Sequence, residues 1–201
     1  MSDTSRVHVA PVHDARMYDV YLGLGSNQGD RLNYLNRARE HIRSLDGTVV
    51  VATSPAYESR AHVKPGQIDA PDFLNAVIHI RTTLGPSGLL AACEDIEREL
   101  GRIRSGERWL PRTIDIDILL IDGMSRWEDH LTVPHPRMHE RRFVLQPLCD
   151  IDPVLHVPVP FDKSVKNLLT SCSDSVPVSL YADFVSGAQA WSRSGRTADS
   201  Q

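Results

Sequence analysis

Apolar runs in this chain are short. None approaches the roughly 18 consecutive apolar residues of a membrane span, and the polar N-terminus lacks the apolar core of a signal peptide. Cysteine is nearly absent too: Cys93, Cys149 and Cys172 are odd in number, far apart and never in a CxxC pair. That pattern excludes a disulfide framework and a cysteine-rich zinc site, and makes a reducing, cytoplasmic setting the expectation. An excess of positive charge is missing as well. With 22 Lys+Arg against 26 Asp+Glu the formal charge is −4, which argues against a general affinity for nucleic acid or anionic membranes. No internal repeat is visible. What is present is ordinary globular composition, 41% hydrophobic and 24% charged, in a chain of 201 residues. A chain of that length is one domain's worth and buries enough surface to fold without crosslinks.

Residues 1–16 are polar, with scattered His and Pro, and read as a flexible arm. From Ser171 to Gln201 the chain is rich in Ser, Ala, Gly and Asp, with Tyr181, Phe184 and Trp191 as its large anchors. That tail is expected to be mostly disordered and dispensable for catalysis. Residues 17–170 are the expected domain, and their periods are legible. Tyr18, Val20, Leu22 and Leu24 alternate, as a half-buried strand requires. Asp30–Leu45 carries apolar residues at helical spacing, and Gly47 follows as a stop. Thr48–Thr53 is rich in valine and suits a strand. Phe73–Thr82 alternates again, with Leu74, Ala76, Ile78 and Ile80 on one face. Pro86 opens a second helix with a stripe of Leu89, Cys93, Ile96 and Leu100. Thr113–Ile121 is a fourth strand, with Ile114, Ile116, Ile118 and Leu120 expected toward the core. The order β-α-β-β-α-β predicts an α+β fold with a ferredoxin-like core, an antiparallel sheet with helices packed on it. Leu131 to about Leu169 reads as short strands and two short helices added to that core.

The chemistry concentrates on the fourth strand. Asp115 and Asp117 are two apart, so their side chains share a face about 7 Å apart at the backbone. Carboxylates held that way converge on hard cations such as magnesium. Alone, the pair would more often be a solvated edge. Here Leu119 and Ile121 continue the expected face, so it is not simply wet, and Arg102, Arg104, Arg108 and Arg112 crowd the stretch just before it, with Trp109 among them. Two carboxylates do not need four guanidiniums, and arginine grips phosphate bidentately. A metal-binding pair beside surplus arginine is the constellation of phosphoryl transfer. The usual phosphate loops are missing. Gly23–Gly29 follows a strand, but Gln28 stands where a dinucleotide fingerprint needs glycine, and no GxxxxGK[ST] occurs. The expectation for that loop is a tight turn with helix capping, with Asn27 as a side chain that can point into a cleft.

Four blocks then agree in order and spacing: Gly23-Leu-Gly-Ser-Asn27, Pro71-Asp-Phe-Leu-Asn-Ala76, Arg108-Trp-Leu-Pro-Arg-Thr-Ile-Asp-Ile-Asp117, and Leu131-Thr-Val-Pro-His135 followed by Arg141-Arg-Phe143. Together they closely resemble the signature of the 6-hydroxymethyl-7,8-dihydropterin pyrophosphokinases of folate biosynthesis, over about Tyr18 to Lys166. The resemblance implies transfer of the β,γ-pyrophosphoryl group of ATP to the pterin hydroxymethyl oxygen, with AMP released. It implies that Asp115 and Asp117 ligate two magnesium ions, and that Arg102 and Arg112 clamp the transferring phosphates. Glu97, Arg104, Trp109, Arg112, Ile118, Thr132, His135 and Arg141 look like further ATP contacts. Asn75, Phe73, Phe143, Trp109 and Ser59 look like pterin contacts; the loop Glu58–Ala70, which carries Ser59, is hard to register on shorter relatives. His130 stands where the family often has a basic residue. Residues Arg104–Pro111 are expected to close over bound nucleotide. The implied partners are the two small-molecule substrates, with no nucleic acid or membrane, acting on a monomer. Two other readings are weighed against this one. A ferredoxin-like nucleic-acid-binding module would need aromatics on its exposed central strands, where this chain has Tyr21, Asn75, His79 and Arg81. A two-metal nucleotidyltransferase would use the same acids on another acceptor.

Overall fold

The computed structural model describes residues 16–61, 71–102, 111–128 and 130–182. Arg104, Arg108, Trp109, Phe184, Trp191, most of the 58–70 loop and the first fifteen residues lie outside the described residues.

The core follows the expected order with one strand, β3, added: β1 (Tyr18–Ser26), α1 (Arg31–Arg43), β2 (Thr48–Thr53), β3 (Ala56–Ser59), β4 (Phe73–Thr82), α2 (Pro86–Glu99) and β5 (Asp115–Ile121). Asp30 caps α1 by accepting from Asn33 N at 3.1 Å, and Gly29 enters that turn at φ 63°, where glycine carries no steric penalty. Pro86 sits in the first turn of α2, where its missing N–H has no partner to lose. β1 lies between β4 and β5, antiparallel to both, so each helix crosses over one intervening strand. That is the ferredoxin-like α+β arrangement. The face carrying Val20, Leu22, Leu24, Ile78 and Ile80 is sealed by Leu35, Ala38 and Ile42 of α1 and Leu89, Cys93 and Ile96 of α2.

The remaining chain adds a hairpin, β6 (Arg126–Glu128) with β7 (Leu131–Val133); α3 (Arg142–Ile151); a second hairpin, β8 (His156–Val157) with β9 (Lys163–Ser164); α4 (Val165–Ser171); and β10 (Val178–Ala182). α3 and α4 cover half of the other sheet face, burying Tyr21, Val77, Leu119 and Leu120 against Val144, Leu145 and Leu148. No helix among the described residues is long and apolar enough to cross a membrane.

Three expectations need correcting. Leu120 does not face the α1/α2 core. Tyr21 pairs with Leu120 but Leu22 pairs with Ile118, so Leu119 is an extra residue and the strand bulges there. The bulge shifts the alternation: Leu119 and Leu120 join the α3 side, while Ile121 returns to the α1/α2 side. Second, β3 is a strand inside what reads as a loop, paired with β4 through Tyr57 and Asn75. Third, the stretch after Ser171 holds a strand: β10 pairs antiparallel with β3 and forms the sheet edge. Val178–Ala182 is only five residues long in a polar stretch, too short for its pattern to stand out.

Ile78 is fully buried at the centre of the sheet. Ile78→Val should cost about 0.5–1.5 kcal/mol and Ile78→Ala about 2–5 kcal/mol. Urea unfolding with an unchanged slope checks both.

Candidate active site

The side of the sheet facing α3 is graded in rows. Strand pairing sets Tyr57, Asn75, Gly25 and Asp115 side by side across four strands. Two residues along, the row is Val77, Gly23 and Asp117; the next is His79, Tyr21 and Leu120. Tyr21, Leu120 and Val77 lie under α3 and α4, whereas Gly23, Gly25, Asp115 and Asp117 keep partial exposure. Because Gly25 carries no side chain, a short trough opens over β1 between Asn75 and Asp115; it ends at Gly23, where the Leu119 side chain lies 3.3 Å from where a Cβ would stand. The flanking strands lie about 9–10 Å apart, two interstrand spacings.

One wall is ionic. Asp115 accepts from Arg102 Nη1 on one oxygen and from Arg112 Nη1 on the other. Arg102 also donates to Glu97 Oε1, which accepts from Ile116 N at 2.7 Å. Asp117 lies along the same face, with Arg141 Nη1 3.9 Å from its Oδ2. Desolvation in the cleft, then the nearby Asp115 charge, raise the Asp117 pKa above the usual carboxylate range; Arg141 opposes the shift. Two repelling hard-oxygen donors on one open face fit a magnesium ion, which needs one or two protein carboxylates and takes its other ligands from water and phosphate. Among the described residues no group of three or more His, Cys, Asp or Glu is placed to hold a metal.

The other wall is neutral. Asn75 is buried, and its Nδ2 donates to Ser59 Oγ at 2.9 Å. Phe73 closes the end beside Gly25. Phe143, in the first turn of α3, has the Arg141 guanidinium 5.8 Å from its ring centre. Thr132 lies on the β6–β7 hairpin. His135 N donates to Leu119 O at 2.8 Å, tying the chain beyond that hairpin to β5. The His135 ring accepts from Arg137 N through Nδ1. Burial, then Arg141 and Arg137, depress its pKa to about 4, so it is neutral at pH 7 with its proton on Nε2.

Among the described residues, the structure therefore gathers Asp115, Asp117, Arg102, Arg112 and Arg141 at one wall and Asn75, Ser59 and Phe73 at the other. Two expected ATP contacts are redrawn. The Glu97 side chain is 3% exposed and holds Arg102 and the β5 backbone, which makes it a positioning group. The Ile118 side chain is buried in the α1/α2 core. Ile116 turns its N–H off the free edge of β5, so by the two-residue repeat Ile118 offers its main chain there, and only that.

Asn27 lines a cleft with Gln28, Gly29, Arg31, Glu58, Pro71, Asp72 and Pro111, but its amide is engaged: it is buried, accepts from Arg112 N at 2.7 Å and donates to Pro71 O at 3.3 Å. One amide thus joins the turn after β1 to the segments entering β4 and β5. Its partners lie 44 and 85 residues away, beyond any local pattern. The sequence signal that could have found Gly23 and Gly25 was their spacing of two on the face opposite Leu22 and Leu24.

Paired carboxylates beside two arginines, with the buried amide of Asn75 across β1, are of the class that suits metal-assisted phosphoryl transfer. The comparisons with known proteins agree. The profile described as 7,8-dihydro-6-hydroxymethylpterin-pyrophosphokinase matches residues 21–153, and the chain belongs to that family. It is 45% identical over 139 residues to the 2-amino-4-hydroxy-6-hydroxymethyldihydropteridine pyrophosphokinase of Methylorubrum extorquens, covering 69% of this chain and 85% of the relative. It is 44% identical over 131 residues to the Bacillus subtilis protein of the same name, covering 65% and 76%. Wild-type Plasmodium falciparum HPPK-DHPS with SDX-DHP shares the fold, at TM-score 0.58 and 14% identity over 79% of this chain. This chain spans 45% of that longer one.

Two substitutions test the site's construction. A Cβ at Gly25 would lie 3.4 Å from Asn75 Oδ1, 3.8 Å from Phe73 and 4.0 Å from Asp115 Cβ, ordinary contacts at an unstrained backbone. Gly25→Ala should therefore melt within about 2 °C of the parent while turnover falls at least roughly tenfold, because the methyl raises the trough floor. Asn27→Ala should lose about 1–3 kcal/mol in denaturant unfolding, since Arg112 N is left without its acceptor.

Proposed function

We propose that this chain transfers the β,γ-pyrophosphoryl group of ATP to the hydroxymethyl oxygen of 6-hydroxymethyl-7,8-dihydropterin, giving the pterin diphosphate and AMP. The observation that carries the reading is the row Asn75–Gly25–Asp115, which faces a neutral ring pocket toward an acid pair across one bare strand. The relatives' names support the same reaction.

In this reading Asp115 and Asp117 hold two magnesium ions between them. Bound there, magnesium supplies charge for the phosphates and lowers the pKa of the attacking hydroxyl. The protein's own groups do the rest. Arg102 and Arg112, which grip the Asp115 oxygens, are spaced to grip phosphate oxygens of similar geometry. Glu97 keeps Arg102 aimed at that point. Arg141, Thr132, the neutral His135 and the main chain of Ile118 meet the nucleotide, joined by Arg104 and Trp109 from outside the described residues. Asn75 both donates and accepts, which suits a pterin edge, while Phe73 and Phe143 supply ring contacts and Ser59 fixes the Asn75 amide. We infer a monomer working in the cytoplasm, where ATP is at hand.

Chromatography of a reaction with ATP and the hydroxymethyl pterin tests the assignment. AMP with pterin diphosphate is the expected product pair; free pyrophosphate would mean nucleotidyl transfer. Asp117→Asn keeps shape and removes charge. It should lower turnover by roughly a thousandfold or more with the melting temperature unchanged, and near-parental turnover at saturating magnesium would overturn the metal reading.

A further inference from the structure

The pterin pocket is assembled from three short segments: the end of β3 with Ser59, the start of β4 with Phe73, and the first turn of α3 with Phe143. One other segment touches the surroundings of all three. We propose that Asp174–Ala182 is a positioning strap for that pocket, acting through Asp174 on α3 and through Tyr181 on Arg31; the proposal rests on the reading of the pocket given above.

The first anchor is at α3. Its first backbone N–H groups need acceptors, and Arg141, at the N-cap position, supplies none from its side chain. Asp174, 32 residues downstream, supplies one: its Oδ2 accepts from Arg142 N at 3.0 Å, and its carbonyl accepts from Arg142 Nε at 3.1 Å. The other carboxylate oxygen accepts from Val176 N at 3.0 Å, which turns the chain toward β10. A carboxylate at a helix N-terminus also meets the positive end of the helix dipole. Asp174 therefore fixes the turn that carries Arg141 and Phe143.

The second anchor is the strand itself. β3 is four residues long and pairs with β4 only from Tyr57 to Ser59. β10 gives it a second neighbour, with Val178 opposite Ser59, Ser179 opposite Glu58 and Leu180 opposite Tyr57. A short strand held on both sides has far less freedom than one held on a single side. Ser59, whose hydroxyl orients Asn75, is at the end of that pairing.

The third anchor is Tyr181. It is the extra residue at the bulge between Leu180 and Ala182, and its ring centre lies 5.6 Å from the Arg31 guanidinium. Arg31 donates to Asp72 O at 2.8 Å and pairs with Glu58 Oε1 at 2.9 Å. Asp72 precedes Phe73 and Glu58 precedes Ser59. One guanidinium thus ties the entrances of both pocket segments, and Tyr181 holds that guanidinium in place.

The Tyr181 contacts reach none of Asp115, Asp117, Arg102, Arg112 or Arg141, so for Tyr181→Ala a strap and a merely stabilising tail predict different outcomes; Asp174 also holds the turn that carries Arg141. The test is calorimetry on the full chain, titrating 6-hydroxymethylpterin in the presence of a non-hydrolysable magnesium-ATP analogue, and titrating the analogue alone. Tyr181→Ala should weaken pterin binding about fivefold, and Asp174→Ala about tenfold. The analogue alone should bind Tyr181→Ala within about twofold of the parent, and Tyr181→Phe, which keeps the ring, should restore pterin affinity. Equal weakening of pterin and analogue by Tyr181→Ala, or no weakening of pterin binding by either variant when both melt normally, overturns the strap. Asn75→Ala separates the two readings. If it weakens pterin binding while Tyr181→Ala and Asp174→Ala do not, the strap alone is wrong. If it leaves pterin binding unchanged, the pocket assignment falls and takes the strap with it.

Discussion

The strand register that sets Gly25 between Asn75 and Asp115 is the constraint on which the rest of the molecule depends. Side chains alternate along a strand, so a slip of one residue would turn Leu24 into the trough and Asp115 into the α1/α2 core. Burial of Leu22 and Leu24 beneath the helices forbids that slip. The apolar core thus enforces the alignment of polar groups on the opposite face. The bulge at Leu119 completes the design: it lets β5 present two acids to the open half of the face and two leucines to the half covered by α3.

The ionic wall follows from that alignment. Glu97, Arg102, Asp115 and Arg112 form one chain of charge-assisted bonds, with the Glu97 side chain almost fully buried. Buried ion pairs of this kind add little net stability, because desolvation offsets attraction. Their value is geometric. The carboxylates hold two guanidiniums in fixed orientation, and preorganised cations are what a phosphate in transit requires. Asp117, left beside Asp115 with Arg141 as its nearby cation, is the member of the set that a divalent ion would most relieve.

Support for the neutral wall is more dispersed. Asn27 ties the turn after β1 to Pro71 and Arg112, and Tyr57 donates to Asp150 at 2.5 Å, locking α3 over β3. The β10 segment joins the same framework from the far end of the chain. Ring recognition needs several shallow contacts kept in register, so these distant bonds bear directly on what the pocket can hold.

Local information was enough for β1, α1, β2, β4, α2 and β5 and for the acid pair beside its arginines. The alternation of Val20, Leu22 and Leu24, the stripe of Leu89, Cys93 and Ile96, and the pair Asp115 and Asp117 within an arginine-rich stretch are all patterns within a few residues, and each emerged where the periods placed it. The roles that depend on distant partners were not legible. Glu97 reads as an acid on a helix until β5 brings Ile116 N to it; Asn27 reads as a turn residue until Pro71 and Arg112 arrive; Leu120 reads as core until Tyr21 and the bulge set its face; β10 reads as polar tail until β3 offers it an edge. In each case the side chain's own neighbours in sequence are compatible with two environments. The choice between them is made by hydrogen-bond partners 19 to 85 residues away and by strand pairing, which only the folded chain brings within reach.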